Sequence, residues 1–137
     1  MIDHVSVAVR DLTRSGAFYD AILQPLGFQR LAEHEHRIGY GAKYPEFWIN
    51  HRPDMAAAPE DSGHHVCLRA ATRDAVKSFY AAAVIHGGRG DGEPKDRQAT
   101  VTAYFGAFIR DPDGNKIEAP ALPIKNQPAD KPILPNP

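Results

Sequence analysis

The sequence predicts an α+β fold of two βαβββ units, whose strands form a curved mixed sheet around a cleft with the helices outside. The first observation is a repeat. A shift of 61 residues aligns the segment that opens at His4 with the one at His65, and Phe18-Tyr19 with Phe79-Tyr80. The second is that the apolar period in each copy changes from that of a strand to that of a helix and back. An unchanged offset across such runs indicates a duplicated supersecondary unit.

The first unit opens with an alternating run over residues 3–9, which predicts a strand with its valines on one face and His4 on the other. Asp11 and Thr13 are candidate helix caps. The helix that follows has one apolar stripe, made of Ser15, Phe18, Tyr19, Ile22 and Leu23. Strands are then predicted over 29–35, 37–41 and 46–50, and residues 51–63 connect the two units.

The second unit repeats this order. A strand over 65–70 is followed by a Thr72 cap and a helix, whose stripe is Val76, Phe79, Tyr80, Ala83 and Val84. We interpret residues 87–98 as a polar, mobile loop. Strands are predicted over 101–110 and 116–119, joined by an Asp-Pro-Asp-Gly turn at 111–114. The proline-rich residues from 120 onward are not expected to continue a sheet.

Bulk composition limits the possible functions. The 137 residues are enough for one domain, expected over 1–120 with repeats at 2–52 and 63–120, and a proline-rich tail over 121–137. A formal net charge of -1 without a Lys/Arg block argues against nucleic acid as a partner. No apolar run approaches the ~20 residues that a bilayer requires, and no signal-like segment opens the chain, so a cytoplasmic protein is expected. The lone Cys67 excludes an intrachain disulfide and is expected to be a small buried residue.

Three side chains of metal-binding type share one predicted face. The helices are expected to cover the valine faces, so His4 and His65 point the other way. Ile117 and Ala119 belong on the helix side, which directs Glu118 to the same face as the histidines. Two imidazoles and a carboxylate suit Zn, Ni, Mn or Fe and leave positions open for a substrate. A lone histidine on a strand is more often an ordinary hydrogen-bonded residue, but the matching positions in two copies favour a metal site.

Further candidates lie around this face. Arg69 shares the face of His65, where it suits either an anionic substrate group or a structural ion pair. Tyr104 alternates toward the predicted pocket, although ordinary core packing is the better explanation of this residue. The cluster of alternating Glu and His at 33–36 is interpreted as a solvated sheet edge, because neighbouring residues of a strand face opposite ways.

The motifs resemble those of the vicinal oxygen chelate superfamily, which contains glyoxalases, ring-cleaving dioxygenases, thiol-transferring fosfomycin-resistance enzymes and bleomycin-binding proteins. They are Ile2-Asp3-His4-Val5, Gly63-His64-His65-Val66, the two Phe-Tyr pairs and the segment 111–118. The resemblance covers residues 2 to about 120 and implies the metal ligands His4, His65 and Glu118. In glyoxalase I-like members a fourth, acidic ligand lies on the last strand of the first unit. Trp48 falls there in this chain, as a cavity wall, and Glu46 would replace it only after a register shift.

The same resemblance implies that the chain is a glyoxalase-like lyase or isomerase. Such an enzyme would act on a small substrate that chelates a divalent metal through neighbouring oxygens. Glu118 would then be a catalytic base as well as a ligand, with Glu46 or a metal-bound hydroxide as alternatives. The other functions open to the family are an extradiol-type dioxygenase and a non-catalytic, bleomycin-resistance-like binding protein. A homodimer is expected, in some members with each site shared by two chains.

Overall fold

A computed structural model describes residues 1–98 and 103–122. The first unit consists of β1 (Val5–Val9), α1 (Leu12–Leu23), a 3₁₀ turn (Gln24–Leu26), β2 (Gln29–His34), β3 (Arg37–Gly41) and β4 (Phe47–His51). The second consists of β5 (Val66–Cys67), α2 (Arg73–Ile85), β6 (Arg89–Gln98), β7 (Ala103–Arg110) and β8 (Lys116–Ala121). The start of the strand predicted at 101 and the tail over 123–137 lie outside the described residues.

The two units have the same sheet topology. The strand orders are β1-β4-β3-β2 and β5-β8-β7-β6, so the described strands form two four-stranded mixed sheets. In each sheet the first strand runs parallel to the last one, and the remaining pairs are antiparallel. This arrangement confirms the predicted α+β fold with two βαβββ units.

Side chains cap both helices, as their sequences predict. Asp11 Oδ1 accepts a hydrogen bond from the Arg14 amide at 3.0 Å, and Thr72 Oγ1 accepts one from the Ala75 amide at 3.0 Å. The whole predicted stripe of α1 is buried. In α2 the predicted stripe is wrong at Val84, which is 52% exposed because it lies at the edge of the apolar stripe, where the helix surface turns to solvent.

One hydrophobic core joins the two units. Phe18, Tyr19 and Ile22 of the first unit cluster with Phe79 and Ile109 of the second, all fully buried. Valines of β1 and Val66 of β5 pack against this cluster, so the helices do cover the valine faces. The opposite face of each sheet is therefore left for a site.

The turn between β7 and β8 adds a polar connection between the units. Asp113 is fully buried and accepts hydrogen bonds from Arg10 Nε at 2.7 Å, Arg14 Nη2 at 3.3 Å and Ser15 Oγ at 3.3 Å. Asp111 accepts a hydrogen bond from the Tyr19 hydroxyl at 2.6 Å. A buried carboxylate needs such partners, so this turn fixes the second unit against the start of α1.

Two expectations about the extent of the strands are wrong. Residues 89–98 form the edge strand β6 and not a loop, because β7 supplies pairing partners and register shifts absorb the glycines near Gly92. Strand β8 continues through Pro120 to Ala121, since Pro120 contributes only its carbonyl, which accepts from the Ala70 amide at 2.8 Å. Within the described residues, no helix has the length and apolar character needed to cross a bilayer.

Candidate active site

Glu118 lies at the centre of the open face of the second sheet. Its strand, β8, has β5 on one side and β7 on the other, so that Glu118 pairs with Cys67 and with Phe108. Its neighbours Ile117 and Ala119 are fully buried on the helix side. The alternation of side chains along this strand, which predicts that Glu118 points away from the core, therefore holds in the structure.

Glu118 is held by two side chains. His65 Nε2 lies 3.0 Å from Glu118 Oε1, and the Tyr104 hydroxyl donates a hydrogen bond to Oε2 at 2.8 Å. The Glu118 side chain is 8% exposed, whereas that of His65 is 42% exposed. The pair thus combines a fixed carboxylate with an imidazole that solvent or a ligand can reach.

Tyr104 and Cys67, two weak acids beside Glu118, keep their protons at neutral pH. Desolvation and the hydrogen bond to Glu118 raise the pKa of Tyr104 to about 12, so its hydroxyl remains a donor. Cys67 is exposed as a residue, which corrects the expectation of a buried one, but its thiol lies beside Glu118. Desolvation of that thiol and the carboxylate raise the pKa of Cys67 to about 12. Cys67 is therefore poorly suited to act as a thiolate.

His4 lies just before β1, at the edge of the other sheet. Its Nδ1 is 2.8 Å from Asp3 Oδ2, and the Tyr44 hydroxyl donates to Asp3 Oδ1 at 2.8 Å. The hydrogen bonds from His4 and Tyr44 lower the pKa of Asp3. A carboxylate on one ring nitrogen is the arrangement that orients metal-binding histidines, and in His4 it would leave Nε2 as the nitrogen available to a ligand.

One chain brings together two of the three predicted metal ligands. Donors that bind one ion at right angles, each about 2.1 Å from it, lie about 3 Å apart. The 3.0 Å between His65 Nε2 and Glu118 Oε1 matches that spacing. Within residues 1–98 and 103–122, no three His, Cys, Asp or Glu side chains form a metal-binding group. Among these residues, His4 therefore does not complete a site with His65 and Glu118 of its own chain.

Trp48 occupies the first unit's counterpart of the Glu118 position. It pairs with Ser6 across β1 and β4, as Glu118 pairs with Cys67 across β5 and β8. Its indole packs so closely on Gly39 that a Cβ there would come within 2.8 Å of the ring. Arg37 lies 4.8 Å from the indole centroid, and the His34 ring is stacked on it at 6.2 Å. The result is an aromatic platform with a cation on it.

Glu46 and Arg69 lie at the margins of these faces. Glu46 is exposed and precedes β4, and its carbonyl accepts from the Val5 amide at 2.9 Å. The register places Trp48 at the position equivalent to Glu118, and Glu46 two residues earlier. Arg69 is exposed after β5, near enough to Cys67 to act on its thiol electrostatically.

Sequence reasoning missed three residues around the pair. Phe108 lies 6.1 Å from the His65 ring, with Arg97 Cζ at 5.0 Å and Lys116 Nζ at 4.8 Å from its centroid. Lys116 could have been found from the same alternation as Glu118, because it lies two residues earlier on the same strand. Arg97 could not, because its polar, glycine-containing segment predicts a loop.

A cavity of about 320 Å³ adjoins His65, between β1 and β5. Both units and their connection contribute to its lining, which includes Ser6, Ala8, Ser62, His64, Asn115 and Lys116. It offers hydroxyl, amide and basic groups next to the histidine–carboxylate pair.

Comparisons with known proteins agree with this fold. The Glyoxalase/Bleomycin resistance protein/Dioxygenase superfamily model matches residues 1–119. A glyoxalase/bleomycin resistance protein from Albidiferax ferrireducens T118 shares 33% identity, with a TM-score of 0.77, over 87% of this chain and 97% of that one. A comparison with curated proteins gave no match.

More distant structures are alike in fold. A glyoxalase/bleomycin resistance protein/dioxygenase family enzyme from Burkholderia phytofirmans PsJN is 16% identical, with a TM-score of 0.67, over 88% of this chain and 97% of its own. A glyoxalase-related enzyme from Fulvimarina pelagi is 15% identical, with a TM-score of 0.66, over 95% of this chain and 94% of its own.

Proposed function

Since the chain belongs to the Glyoxalase/Bleomycin resistance protein/Dioxygenase superfamily, we propose that it is a metal-dependent lyase or isomerase that acts on a small oxygenated substrate. The observation that carries this proposal is the contact between His65 and Glu118, at 3.0 Å, with Tyr104 on the second carboxylate oxygen. A buried carboxylate fixed beside a reachable imidazole is typical of a site that binds a cation or moves a proton.

The proposed metal ligands are His65 and Glu118 of one chain and His4 of a second copy. Two features support this division. The first pair already has the spacing of neighbouring ligands, and His4 is oriented by Asp3 so that Nε2 is the coordinating atom. Zn, Ni, Mn and Fe all suit this ligand set, and a homodimer follows from it. When bound, the metal would polarise the substrate's neighbouring oxygens.

The chain's own groups have separate tasks in this proposal. Tyr104 donates to Oε2 of Glu118 and orients the carboxylate, so that Oε1 is the oxygen that would coordinate the metal. Proton transfer from the substrate would then use the remaining electron pairs of this carboxylate. His65 lies on the solvent side of Glu118 and limits the orientations that the carboxylate can adopt. Trp48 and its neighbours Arg37 and His34 offer a flat surface for an apolar or planar part of the substrate.

Metal analysis of protein purified without chelators or a polyhistidine tag tests this function. We expect a stoichiometric divalent metal in the wild-type protein, lost in His65→Ala and Glu118→Gln and kept in the control His86→Ala, whose ring nitrogen contacts the Ala82 carbonyl. A metal-free wild-type protein that does not take up Zn, Ni, Mn or Fe would contradict the proposal. A screen with methylglyoxal–glutathione adducts, catechols and α-keto acids would then identify the reaction, and cleavage of a catechol ring would indicate the dioxygenase.

A second candidate function, a non-catalytic binding protein of the bleomycin-resistance kind, is favoured by Trp48. An indole with Arg37 over its ring occupies the position where an acid would complete a metal site. Such a platform binds a planar ligand without a metal. Stoichiometric binding of bleomycin by the metal-free protein, lost in Trp48→Ala, would favour this function over the enzyme.

A further inference from the structure

In the part of the chain that the structure describes, basic side chains outnumber acidic ones around the histidine–carboxylate pair. Four cations, Arg69, Arg97, Arg110 and Lys116, lie there with two carboxylates, Asp91 and Glu118. The strand register aligns Arg97 with Tyr104 and Lys116 with Arg110, so these residues share the open face. The chain as a whole has a net charge of -1, which makes this local excess of positive charge a property of the site.

Arg97 is an oriented cation without a carboxylate partner in the described part of the chain. Its Nε donates to the Gly106 carbonyl at 2.9 Å and its Nη2 to the Glu93 carbonyl at 2.6 Å. Its guanidinium lies 5.0 Å from the Phe108 centroid. Neutral carbonyls and a ring fix the side chain but do not cancel its charge, so the guanidinium remains attractive to an anion.

Lys116 lies on β8, two residues before Glu118, and its positive charge is only partly neutralised. Its Nζ is 3.2 Å from Asp91 Oδ2, an atom that also accepts from Arg110 Nε at 2.9 Å. One carboxylate between two cations leaves a net positive charge. Lys116 also lines the cavity of about 320 Å³, and the described residues that line this cavity include no Asp or Glu.

We propose that the site binds an oxyanion, a carboxylate or a phosphate group of the substrate, through Arg97 and Lys116, whose charged groups lie 5.0 and 4.8 Å from the Phe108 centroid. The guanidinium provides paired N–H donors and the ammonium a compact charge, next to His65 and Glu118. This inference rests on the proposed function for the reaction that follows binding. Binding of the anion itself needs no metal, so the two are tested separately.

Calorimetry on the metal-free dialysed protein, with a chelator present, tests the inference with three probes. Benzoate and phenyl phosphate carry the two kinds of oxyanion, and benzyl alcohol is the neutral control. We expect at least one anion to bind about tenfold or more tightly than benzyl alcohol, with an affinity that weakens as salt is added. The ratio of the two anion affinities tells a carboxylate site from a phosphate site.

Variants assign the binding to the named residues. Arg97→Gln is expected to weaken anion binding about tenfold or more, while Arg97→Lys retains part of it and benzyl alcohol is unaffected. Arg89→Gln is the matched control, because Arg89 lies on the same strand and pairs with Glu60. Circular dichroism checks the fold of each variant, and Lys116→Gln takes the place of Arg97→Gln if the latter does not fold.

Three results would overturn the inference: equal affinities for benzyl alcohol and the anions, equal losses in Arg97→Gln and Arg89→Gln, or anion binding weaker than about 10 mM in the wild-type protein. None of these three results would contradict the proposed metal site, which is tested by the metal content of the protein. Conversely, a protein that takes up no metal but binds benzoate or phenyl phosphate through Arg97 would contradict the proposed function and support the anion site.

Discussion

Trp48 takes in the first unit the place that Glu118 takes in the second. The equivalence follows from strand register alone, because residues 61 apart on β1 and β5 pair with these two side chains. The duplicated units thus differ at the position that Glu118, a proposed metal ligand, takes in the second unit. The second unit presents a histidine with a carboxylate, and the first presents a histidine with an indole.

This difference leads to a first prediction. In Trp48→Glu, both units would have a carboxylate at equivalent positions, and we expect the affinity for Zn²⁺ to rise about tenfold or more because a ligand is added. Competition with a chromophoric chelator measures it. Trp48→Gln removes the same packing on Gly39 without adding a charge, and equal affinities of the two variants would contradict the prediction.

Tyr104 provides a test of how Glu118 is held. Tyr104→Phe removes only the hydroxyl that donates to Glu118 Oε2 at 2.8 Å. Loss of a hydrogen bond to a metal ligand typically weakens metal binding by about 10–100-fold, and we expect a decrease of about tenfold in calorimetry. Tyr80→Phe is the control, because its hydroxyl lies near Gly90 on the α2 side. An unchanged affinity in Tyr104→Phe would show that Glu118 does not need this support.

Stability of the whole domain is expected to depend on Asp113. Its side chain is fully buried and joins Arg10, Arg14 and Ser15 of the first unit to a turn of the second. Asp113→Ala leaves these donors without their acceptor, and should lower the free energy of unfolding by about 3 kcal/mol in urea titrations. Asp54→Ala, at an exposed loop position, should change it by less than about 0.5 kcal/mol. Similar losses in both variants would contradict the assigned role.

Asp91 is expected to contribute to the stability of the fold in a way that depends on pH, and the sign of this dependence can be predicted. Burial acts to raise its pKa, but hydrogen bonds from Arg110 and Lys116 outweigh burial and lower the pKa below the ordinary 3.8. A lowered pKa in the folded state stabilises the protein above the unfolded value, and this stabilisation is lost as the pH falls through the folded value. Asp91→Asn should therefore lower the free energy of unfolding by roughly 1 kcal/mol at pH 7 and by much less near about pH 3.

Urea titrations of the wild-type protein and Asp91→Asn at both pH values measure this difference. Asp54→Asn, again at an exposed position, controls for general effects of losing a carboxylate. A cost for Asp91→Asn that does not depend on pH would mean that the ion pairs with Arg110 and Lys116 are not its source.

Local periodicity was sufficient to predict most of the fold. Stripes such as Phe18-Tyr19 and the caps Asp11 and Thr72 depend on residues close in the chain, and they were predicted correctly. Strand β6 was not, because its glycine-containing sequence becomes a strand only when β7 pairs with it. The exposure of Cys67 could not be predicted for a related reason, since it depends on what covers the open face and not on residue type.

In the candidate site, too, features set by residues close in the chain could be predicted, and features set by distant residues could not. The direction of Glu118 follows from alternation on its own strand, and its contact with His65 follows from the sheet face that the two residues share. The separate position of His4 could not be predicted, because the repeat gives equivalent positions in two units but not which units face each other. Arg97 was missed since its strand was missed.

Mixing two inactive variants tests the central claim most directly, namely that His4 completes the His65–Glu118 pair of another copy. His4→Ala and Glu118→Gln, each expected to bind no metal, are unfolded together, refolded as a mixture and analysed for bound Zn²⁺ after gel filtration. If the site is shared between two chains, random dimers should recover about one quarter of the wild-type metal content. Recovery of no metal by the mixture, although the wild-type protein refolded in the same way binds it fully, would contradict the shared site.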